Sequence, residues 1–289
     1  MKWCRILLLL WIGQVSAQPV QIEHQGLILN GNFEEYKPGH NPGYSDRIFL
    51  IVHGTWAHAG MEIISTLQAL LFENDQSSLA ITLSLGIDDR TGFMACHSLM
   101  TANHGNAAAE INAWIEYLDE DWQQIVVVGH SRGGNQVTLF NQAYPNLKVS
   151  HLVLIAPMSW NEKQSAAAYQ EVSGIPLGDV LATARKAGKG SIKADVLQCE
   201  DIEVMATSFL SYYADEPNRN TPELLQTVDR PVLVFQGTED ALAEGYKSQI
   251  TLVRSNPLVE DYWIDGADHF FRDLYSDELV EELLEWLSE

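Results

Sequence analysis

The stretch IVVVGHSRGGNQV, residues 125–137, sets a single serine among glycines directly after an apolar run. Residues 129–133 read G-H-S-R-G, and a helical pattern follows at 134–144. A serine on a sharp turn between a strand and a helix needs glycines on both sides, because side chains there would collide with neighbouring backbone. The stretch therefore predicts a nucleophilic Ser131 above the end of a buried strand. The alternative, a turn of a nucleotide-binding protein, lacks the glycine spacing or phosphate-loop lysine that it would need.

Short apolar runs alternate with helical patterns along the rest of the chain. The apolar runs are residues 48–52, 79–85, 125–128, 151–156, 231–235 and 261–264, and the helical patterns are residues 60–74, 106–120, 134–144 and 276–289. Continuous apolar runs indicate strands that are buried on both faces. Alternation with helices predicts an α/β fold with a mainly parallel, doubly wound sheet. Ser276 is the predicted N-cap of the last helix.

Two features interrupt this alternation. Asn30-Gly31 lies between two strand-like stretches, and this pair predicts the turn of an N-terminal antiparallel hairpin. Residues 158–230 separate two predicted strands by far more than an ordinary helical crossover needs. We therefore expect an inserted helical cap there, built from stretches such as 165–172 and 202–214.

A serine nucleophile needs a base to accept its proton, and the base needs an acid to orient it. Asp240 and His269 each follow a predicted strand, and the carboxyl ends of parallel strands meet at one edge of the sheet. The expected triad is Ser131, His269 and Asp240. Glu239 is the adjacent rival acid and is expected to point away, and Asp265 and Asp268 are too close in sequence to His269 to orient it.

The negative charge of a tetrahedral intermediate requires hydrogen-bond donors. The backbone N–H of Arg132 directly follows the nucleophile, and that of Thr55, or less favourably Trp56, lies in the loop after the strand at 48–52. His53 is expected to hold this loop in place. Trp56 and His130 are the predicted residues of the substrate pocket.

With these residues in place, the chain resembles the α/β-hydrolase superfamily over about residues 20–289. The resemblance is carried by HG at 53–54, GHSRGG at 129–134, GTED at 237–240 and GADH at 266–269. It implies an esterase-like or lipase-like serine hydrolase that works through an acyl-enzyme and needs no cofactor. We expect a carboxylic ester as substrate; an amidase, a peptidase, a thioesterase or a non-catalytic binding protein of the same fold are the alternatives.

The first residues have the pattern of a secretory signal peptide. MKWCRILLLLWIGQVSAQ, residues 1–18, has a basic start, an apolar run from residue 6 to 12, and small residues up to Ala17. A transmembrane anchor is the weaker interpretation because the run is shorter than the roughly 20 residues that span a bilayer. We expect residues 1–17 to be a signal peptide, residues 18–289 to form one α/β-hydrolase domain, and the protein to be secreted or periplasmic.

The chain is strongly acidic. It has 17 Lys and Arg against 39 Asp and Glu, a net charge of −22 at pH 7. Such a field repels nucleic acid and anionic lipid headgroups. The charge weakly favours neutral or cationic ligands, and we expect a small-molecule substrate, a neutral ester, with no nucleic-acid partner. No membrane span is predicted, and the oligomeric state stays open.

The loop at 86–106 and the remaining cysteines allow several interpretations. Cys96 and Cys199 either form a disulfide across distant segments or are both free. His97 and His104 are separated by too many residues, with no further ligand at matching spacing, and no metal site is predicted. Arg90 or Arg132 either holds a substrate carboxylate or pairs with one of the many acids.

Overall fold

The structure, a computed structural model, describes residues 17–37, 46–214 and 219–288. The predicted signal peptide, apart from Ala17, lies outside the described residues. The strands are β1 Gln18–His24, β2 Leu27–Glu34, β3 Arg47–Val52, β4 Ser77–Thr82, β5 Gln124–His130, β6 Val149–Ile155, β7 Ser191–Val196, β8 Cys199–Met205, β9 Val232–Gly237 and β10 Val259–Ile264. The helices are α1 Glu62–Glu73, α2 Asn106–Leu118, α3 Arg132–Ala143, α4 Glu162–Ser173, α5 Leu177–Ala187, α6 Ala206–Tyr213, α7 Thr221–Leu224, α8 Ala243–Lys247, α9 Ile250–Val253 and α10 Leu274–Trp286.

Eight of these strands form one sheet in the order β1-β2-β4-β3-β5-β6-β9-β10. The β1–β2 and β2–β4 pairs are antiparallel. From β4 to β10 every neighbouring pair is parallel. The predicted fold class, a mainly parallel sheet that begins with an antiparallel hairpin, is confirmed.

The sheet is covered on both faces because alternate residues of its buried strands enter two separate cores. In β5, Ile125 and Val127 pack with Trp114 of α2 and Phe140 of α3. The intervening residues Val126 and Val128 belong to a second core, which also contains side chains of α1 and α10. This two-sided burial is why the strands appear in the sequence as continuous apolar runs.

The turn of the N-terminal hairpin was predicted at the wrong place. His24 pairs with Leu27, so the turn is Gln25-Gly26, with φ of 50° and 80°. Asn30 and Gly31 lie inside β2 instead. A Cβ on Gly31 would meet Leu79 Cδ1 at 3.0 Å and the Ala80 oxygen at 3.1 Å. This glycine therefore serves close packing against β4 rather than a turn.

The long insertion is not purely helical. After α4 and α5, β7 and β8 form a separate antiparallel hairpin, and α6 begins only at Ala206. The stretch 202–214 was predicted to be helical throughout, but Ile202 and Val204 belong to β8. They are buried while Asp201 and Glu203 are exposed, and this alternation is the pattern of a strand with one buried face.

The last helix begins earlier than predicted. Asp273 precedes its first turn, and Ser276 lies within the helix, where its hydroxyl donates to the Phe271 carbonyl oxygen. The predicted N-cap role of Ser276 is therefore wrong. In the described ranges, no helix has both the length and the apolar character needed to span a bilayer.

Candidate active site

Ser131 occupies a strained turn between β5 and α3. Its φ and ψ are 56° and −120°, a combination that L-residues rarely adopt. A Cβ on Gly129 would lie 2.5 Å from the Gly133 oxygen, and one on Gly133 would lie 2.7 Å from the Val52 oxygen and closer still to that of His53. Since these neighbours are backbone atoms, only glycine fits at both positions. The local sequence thus holds the Ser131 side chain at the carboxyl edge of the sheet.

The loops after β9 and β10 bring Asp240 and His269 to the same edge. His269 Nδ1 lies 2.7 Å from Asp240 Oδ2, and His269 Nε2 lies 3.0 Å from Ser131 Oγ. Asp240 also accepts a hydrogen bond of 2.8 Å from the Leu242 backbone N–H. The three side chains therefore form a continuous hydrogen-bonded chain across 138 residues of sequence separation.

The environment of Asp240 favours its ionised form. Burial raises the pKa of this carboxyl, but the hydrogen bonds from His269 and from the Leu242 backbone outweigh burial, and the pKa lies below its ordinary value. The ionised carboxylate accepts the His269 Nδ1–H, and in this tautomer Nε2 has a lone pair directed at Ser131.

The backbone N–H groups of Thr55 and Arg132 are available beside the nucleophile. Both residues line the same cavity as Ser131. Neither N–H donates to an acceptor among the residues that the structure describes. Unpaired backbone donors are suited to bind a developing negative charge, and the Arg132 N–H is in addition at the start of α3.

A buried histidine and arginine hold the Thr55 loop. The Leu83 N–H donates to His53 Nε2 at 3.0 Å, so Nδ1 carries the proton and donates to the Gly54 oxygen at 2.7 Å. Burial, followed by the charge of Arg90, lowers the pKa of His53 to about 3. Arg90 in turn donates to the carbonyl oxygens of residues 57, 83 and 92. Its donors are committed to this support, so Arg90 is not a carboxylate-binding candidate.

The two predicted pocket residues lie behind the site instead. Trp56 is 1% exposed and packs in a cluster with Leu85, Met94 and Met100. His130 is 2% exposed, and its Nε2 lies 2.9 Å from the His269 carbonyl oxygen. Neither residue is among the described lining of the cavity. The alternation of side chains along β5 turns His130 inward, and the tight loop after β3 turns Trp56 inward. The motifs alone do not specify these directions.

The cavity beside Ser131 has a volume of about 360 Å³. Its described lining is Thr55, Ser131, Arg132, Ala156, Pro157, Met158, Ser159, Gln164, Gln236, Asp240, Ala241, Leu242, Glu244, Gly245 and His269. Sequence reasoning missed the contributions of α4, α8 and Gln236. Gln236 lies near the carboxyl end of β9, where parallel sheets place functional groups, so its position held the signal that would have found it.

The loop at 86–106 is fixed to the insertion. Cys96 and Cys199 form a disulfide with a Cα–Cα distance of 5.3 Å, and Met100 bridges to Val204 of β8. His104 is buried, and its Nε2 lies 2.6 Å from Asn135 Oδ1. In residues 17–37, 46–214 and 219–288, no group of three or more His, Cys, Asp or Glu is arranged to hold a metal ion.

The fold resembles those of several solved structures. Est1E of Butyrivibrio proteoclasticus, solved with ferulic acid bound, has a TM-score of 0.67 at 17% identity, over 93% of this chain and 100% of Est1E. The esterase Pf2001 of Pyrococcus furiosus has a TM-score of 0.64 at 15% identity, over 95% of this chain and 91% of that one. The thioesterase domain from the curacin biosynthetic pathway has a TM-score of 0.60 at 15% identity, over 93% and 99% of the two chains.

At these identities the similarity concerns the fold alone. No curated protein sequence matches the chain. The sequence model of the alpha/beta hydrolase family matches residues 49–282, a span that runs from β3 into α10 and includes Ser131, Asp240 and His269. The resemblance drawn from the motifs is confirmed, and the chain belongs to the alpha/beta hydrolase family.

Proposed function

We propose that the protein is an exported serine hydrolase that cleaves a small carboxylic ester. Ser131 is the nucleophile, His269 the general base and Asp240 the acid that orients it. The observation that carries the proposal is the hydrogen-bonded chain from Asp240 through His269 to Ser131, with distances of 2.7 Å and 3.0 Å. All three side chains belong to residues that line one cavity.

Acylation begins when Ser131 Oγ attacks the ester carbonyl carbon and its proton passes to His269 Nε2. The carbonyl oxygen becomes an oxyanion, which accepts hydrogen bonds from the backbone N–H groups of Arg132 and Thr55. One such donor contributes about 3 kcal/mol to the stability of the transition state. The C–O bond to the alcohol then breaks, and the alcohol leaves with the proton from His269.

Deacylation repeats these steps with water. His269 accepts a proton from water as the hydroxyl attacks the acyl carbon, and the bond to Ser131 Oγ breaks. The proton returns to Ser131 and the carboxylic acid leaves. Asp240 stabilises the imidazolium of His269 in both halves because it is held ionised. Water is the second substrate, and the proposed mechanism uses no cofactor.

Export is part of the proposal. The first 17 residues have the order of a signal peptide, with basic residues, an apolar run and small residues before position 18. The disulfide between Cys96 and Cys199 is of a kind that persists in oxidising compartments. We expect mature protein isolated from the periplasm or medium to begin at Gln18, which intact mass measures directly.

Hydrolysis of short-chain p-nitrophenyl esters tests the proposed chemistry. Wild type is expected to hydrolyse the butyrate, whereas Ser131→Ala and His269→Gln lose at least about 1,000-fold in kcat/KM. Ser255→Ala, at an exposed serine of the surface, is the matched control and keeps the wild-type rate.

The same assay separates ester cleavage from the alternatives. A butyryl thioester and a butyryl anilide are measured beside the ester, and the highest kcat/KM on the ester supports an esterase. A folded wild type that cleaves none of the three compounds, or a Ser131→Ala variant with the wild-type rate, contradicts the proposal.

A further inference from the structure

The side chain of Arg132 lies beside the cavity with hydrogen-bond donors unused. Its Nε donates to Thr55 Oγ1 at 3.1 Å, and its Cζ lies 5.2 Å from the centroid of the Tyr212 ring. These two contacts hold the guanidinium in place. Its terminal nitrogens donate to no acceptor in the described part of the chain and are not sealed from solvent. The planar fork that suits a carboxylate is therefore free.

Arg132 also lacks a counter-ion within the ranges that the structure describes. No Asp or Glu of the described residues forms an ion pair with it. Burial lowers the pKa of its guanidinium. Burial and the nearby charge of Arg132 lower the pKa of His104 to about 3. A partly buried cation without an acidic partner is costly to a folded protein unless a ligand supplies the negative charge.

Arg90 differs from Arg132 in how its side-chain donors are used. Arg90 is also buried, yet its Nε and both terminal nitrogens donate to backbone carbonyl oxygens. Arg132 is the only Lys or Arg among the described residues that line the cavity. The two arginines that the sequence singled out therefore differ in role: Arg90 supports a loop, and Arg132 retains capacity for a ligand.

A second group in the same cavity lacks partners. Gln236 is 1% exposed, and neither its Nε2 nor its Oε1 is hydrogen-bonded to a described residue. A buried amide of this kind is normally hydrogen-bonded. Gln236 contributes to the lining of the cavity, although its amide nitrogen and oxygen are themselves closed to solvent. Arg132 gives the cavity a polar character that a pocket for long alkyl chains does not have.

We propose that the Arg132 side chain recognises a carboxylate of the substrate, so that the preferred substrates are small esters that carry a free carboxylate. This inference rests on the proposed hydrolase function and names its substrate class. Two chemical sources fit: a half-ester of a short dicarboxylic acid, with the carboxylate on the acyl part, and an ester of a short hydroxy acid, with the carboxylate on the alcohol part.

The net charge of −22 suggests a neutral substrate, and the local charge of the cavity revises that expectation. Net charge acts over the surface and is screened within about 8 Å at physiological salt. Asp240 is paired with His269, and Glu244 is exposed. Among the described lining residues, Arg132 is therefore the unpaired positive charge that an anion meets when it enters the cavity.

The test compares three alkyl esters that are stable at neutral pH. Monoethyl succinate carries the carboxylate on the acyl part, butyryl glycolate carries it on the alcohol part, and ethyl butyrate is the neutral reference. Hydrolysis is followed by proton release at constant pH. The readout is the ratio of kcat/KM for each anionic ester to that for ethyl butyrate, which a purely structural role of Arg132 would leave unchanged.

Arg132→Gln keeps the backbone N–H and removes the charge. We expect this variant to lower the ratio for at least one anionic ester by about 10- to 100-fold, as for loss of a hydrogen bond to a charged group, mainly through KM. Arg132→Lys is expected to restore part of the ratio. Arg254→Gln removes the same charge from the exposed surface, where Arg254 pairs with Asp261, and leaves the ratio at the wild-type value.

The outcomes separate this inference from the proposed function. If wild type hydrolyses ethyl butyrate and Arg132→Gln has the wild-type ratios for both anionic esters, the carboxylate role is wrong while the hydrolase stands. If wild type hydrolyses no ester, binding of monoethyl succinate is measured by calorimetry on Ser131→Ala and on Ser131→Ala with Arg132→Gln. Binding to the first protein that is abolished in the second supports the anion site. Equal binding to both proteins, or binding to neither, overturns it.

Discussion

Replacement of His104 by glutamine is expected to make folding less sensitive to acid. His104 is 3% exposed, and its Nε2 lies 2.6 Å from Asn135 Oδ1. Burial and the charge of Arg132 oppose protonation, and they lower its pKa from 6.5 to about 3. The folded protein therefore keeps this imidazole neutral at pH 5, whereas the unfolded chain protonates it below pH 6.5.

The magnitude follows from this difference. The contribution of neutral His104 to the free energy of unfolding is fully present above pH 6.5. It is lost as the pH falls toward 3, because His104 binds a proton in the unfolded state before it does so in the folded state. Between pH 7 and pH 5 the loss from one such histidine is about 2 kcal/mol. His53 and His130, whose pKa values are lowered to about 3 and about 4, add losses of the same sign to wild type and variant alike.

Urea unfolding, followed by tryptophan fluorescence at pH 7 and pH 5, measures the effect. Glutamine retains a donor for Asn135 but does not titrate. The free energy of unfolding of wild type is expected to fall by about 2 kcal/mol more than that of His104→Gln over this interval. An equal fall in both proteins would mean that His104 is protonated in the folded state or accessible to solvent, and would refute the reasoning.

Three further changes have defined outcomes. Asp240→Asn replaces the carboxylate with a neutral amide, whose NH2 group can donate to His269 Nδ1 and so favours the wrong tautomer. We expect kcat on p-nitrophenyl butyrate to fall by about 1,000- to 10,000-fold while circular dichroism stays unchanged; a fall below tenfold would argue for another acid. Gly133→Ala places a Cβ against backbone oxygens, whereas one on Gly178 meets nothing within 4 Å, so only the first should abolish activity and lower Tm. Cys96→Ser with Cys199→Ser removes a disulfide that joins residues 103 positions apart. We expect the free energy of unfolding, measured in urea, to fall by about 3–5 kcal/mol. An unchanged value would show that packing alone holds these segments together.

The alternation of elements could be predicted because each buried strand is continuous and apolar. The runs at 125–128 and 231–235 became β5 and β9 with shifts of at most two residues at each end. The hairpin turn was missed because Asn-Gly is a strong turn signal, while the reason for Gly31 is its packing against Leu79, which is distant in sequence. Ser276 failed as a cap for a different reason: the helix begins at Leu274, so Ser276 lies within its first turn and donates to the Phe271 oxygen.

Ser131, Asp240 and His269 were identifiable because each follows a strand in one parallel sheet, and the topology brings strand ends together. Their hydrogen bonds are in the structure, and their catalytic roles stay a prediction. Trp56 and His130 were misplaced because sequence position near a nucleophile does not fix the direction of a side chain. The position of Gln236 near the end of β9 was readable from the sequence, but its lack of hydrogen-bond partners among the described residues and the free donors of Arg132 were not, because a missing partner is a property of the packed state.

The most direct test of the central claim is labelling of the purified mature protein with a fluorophosphonate, scored by intact mass, beside Ser131→Ala and Ser255→Ala. A fluorophosphonate reacts with a serine whose hydroxyl is activated by a neighbouring base. We predict one adduct on wild type and on Ser255→Ala, with none on Ser131→Ala. A folded wild type that takes no label, or a Ser131→Ala protein that is labelled equally, would contradict the assignment of Ser131 as an activated nucleophile.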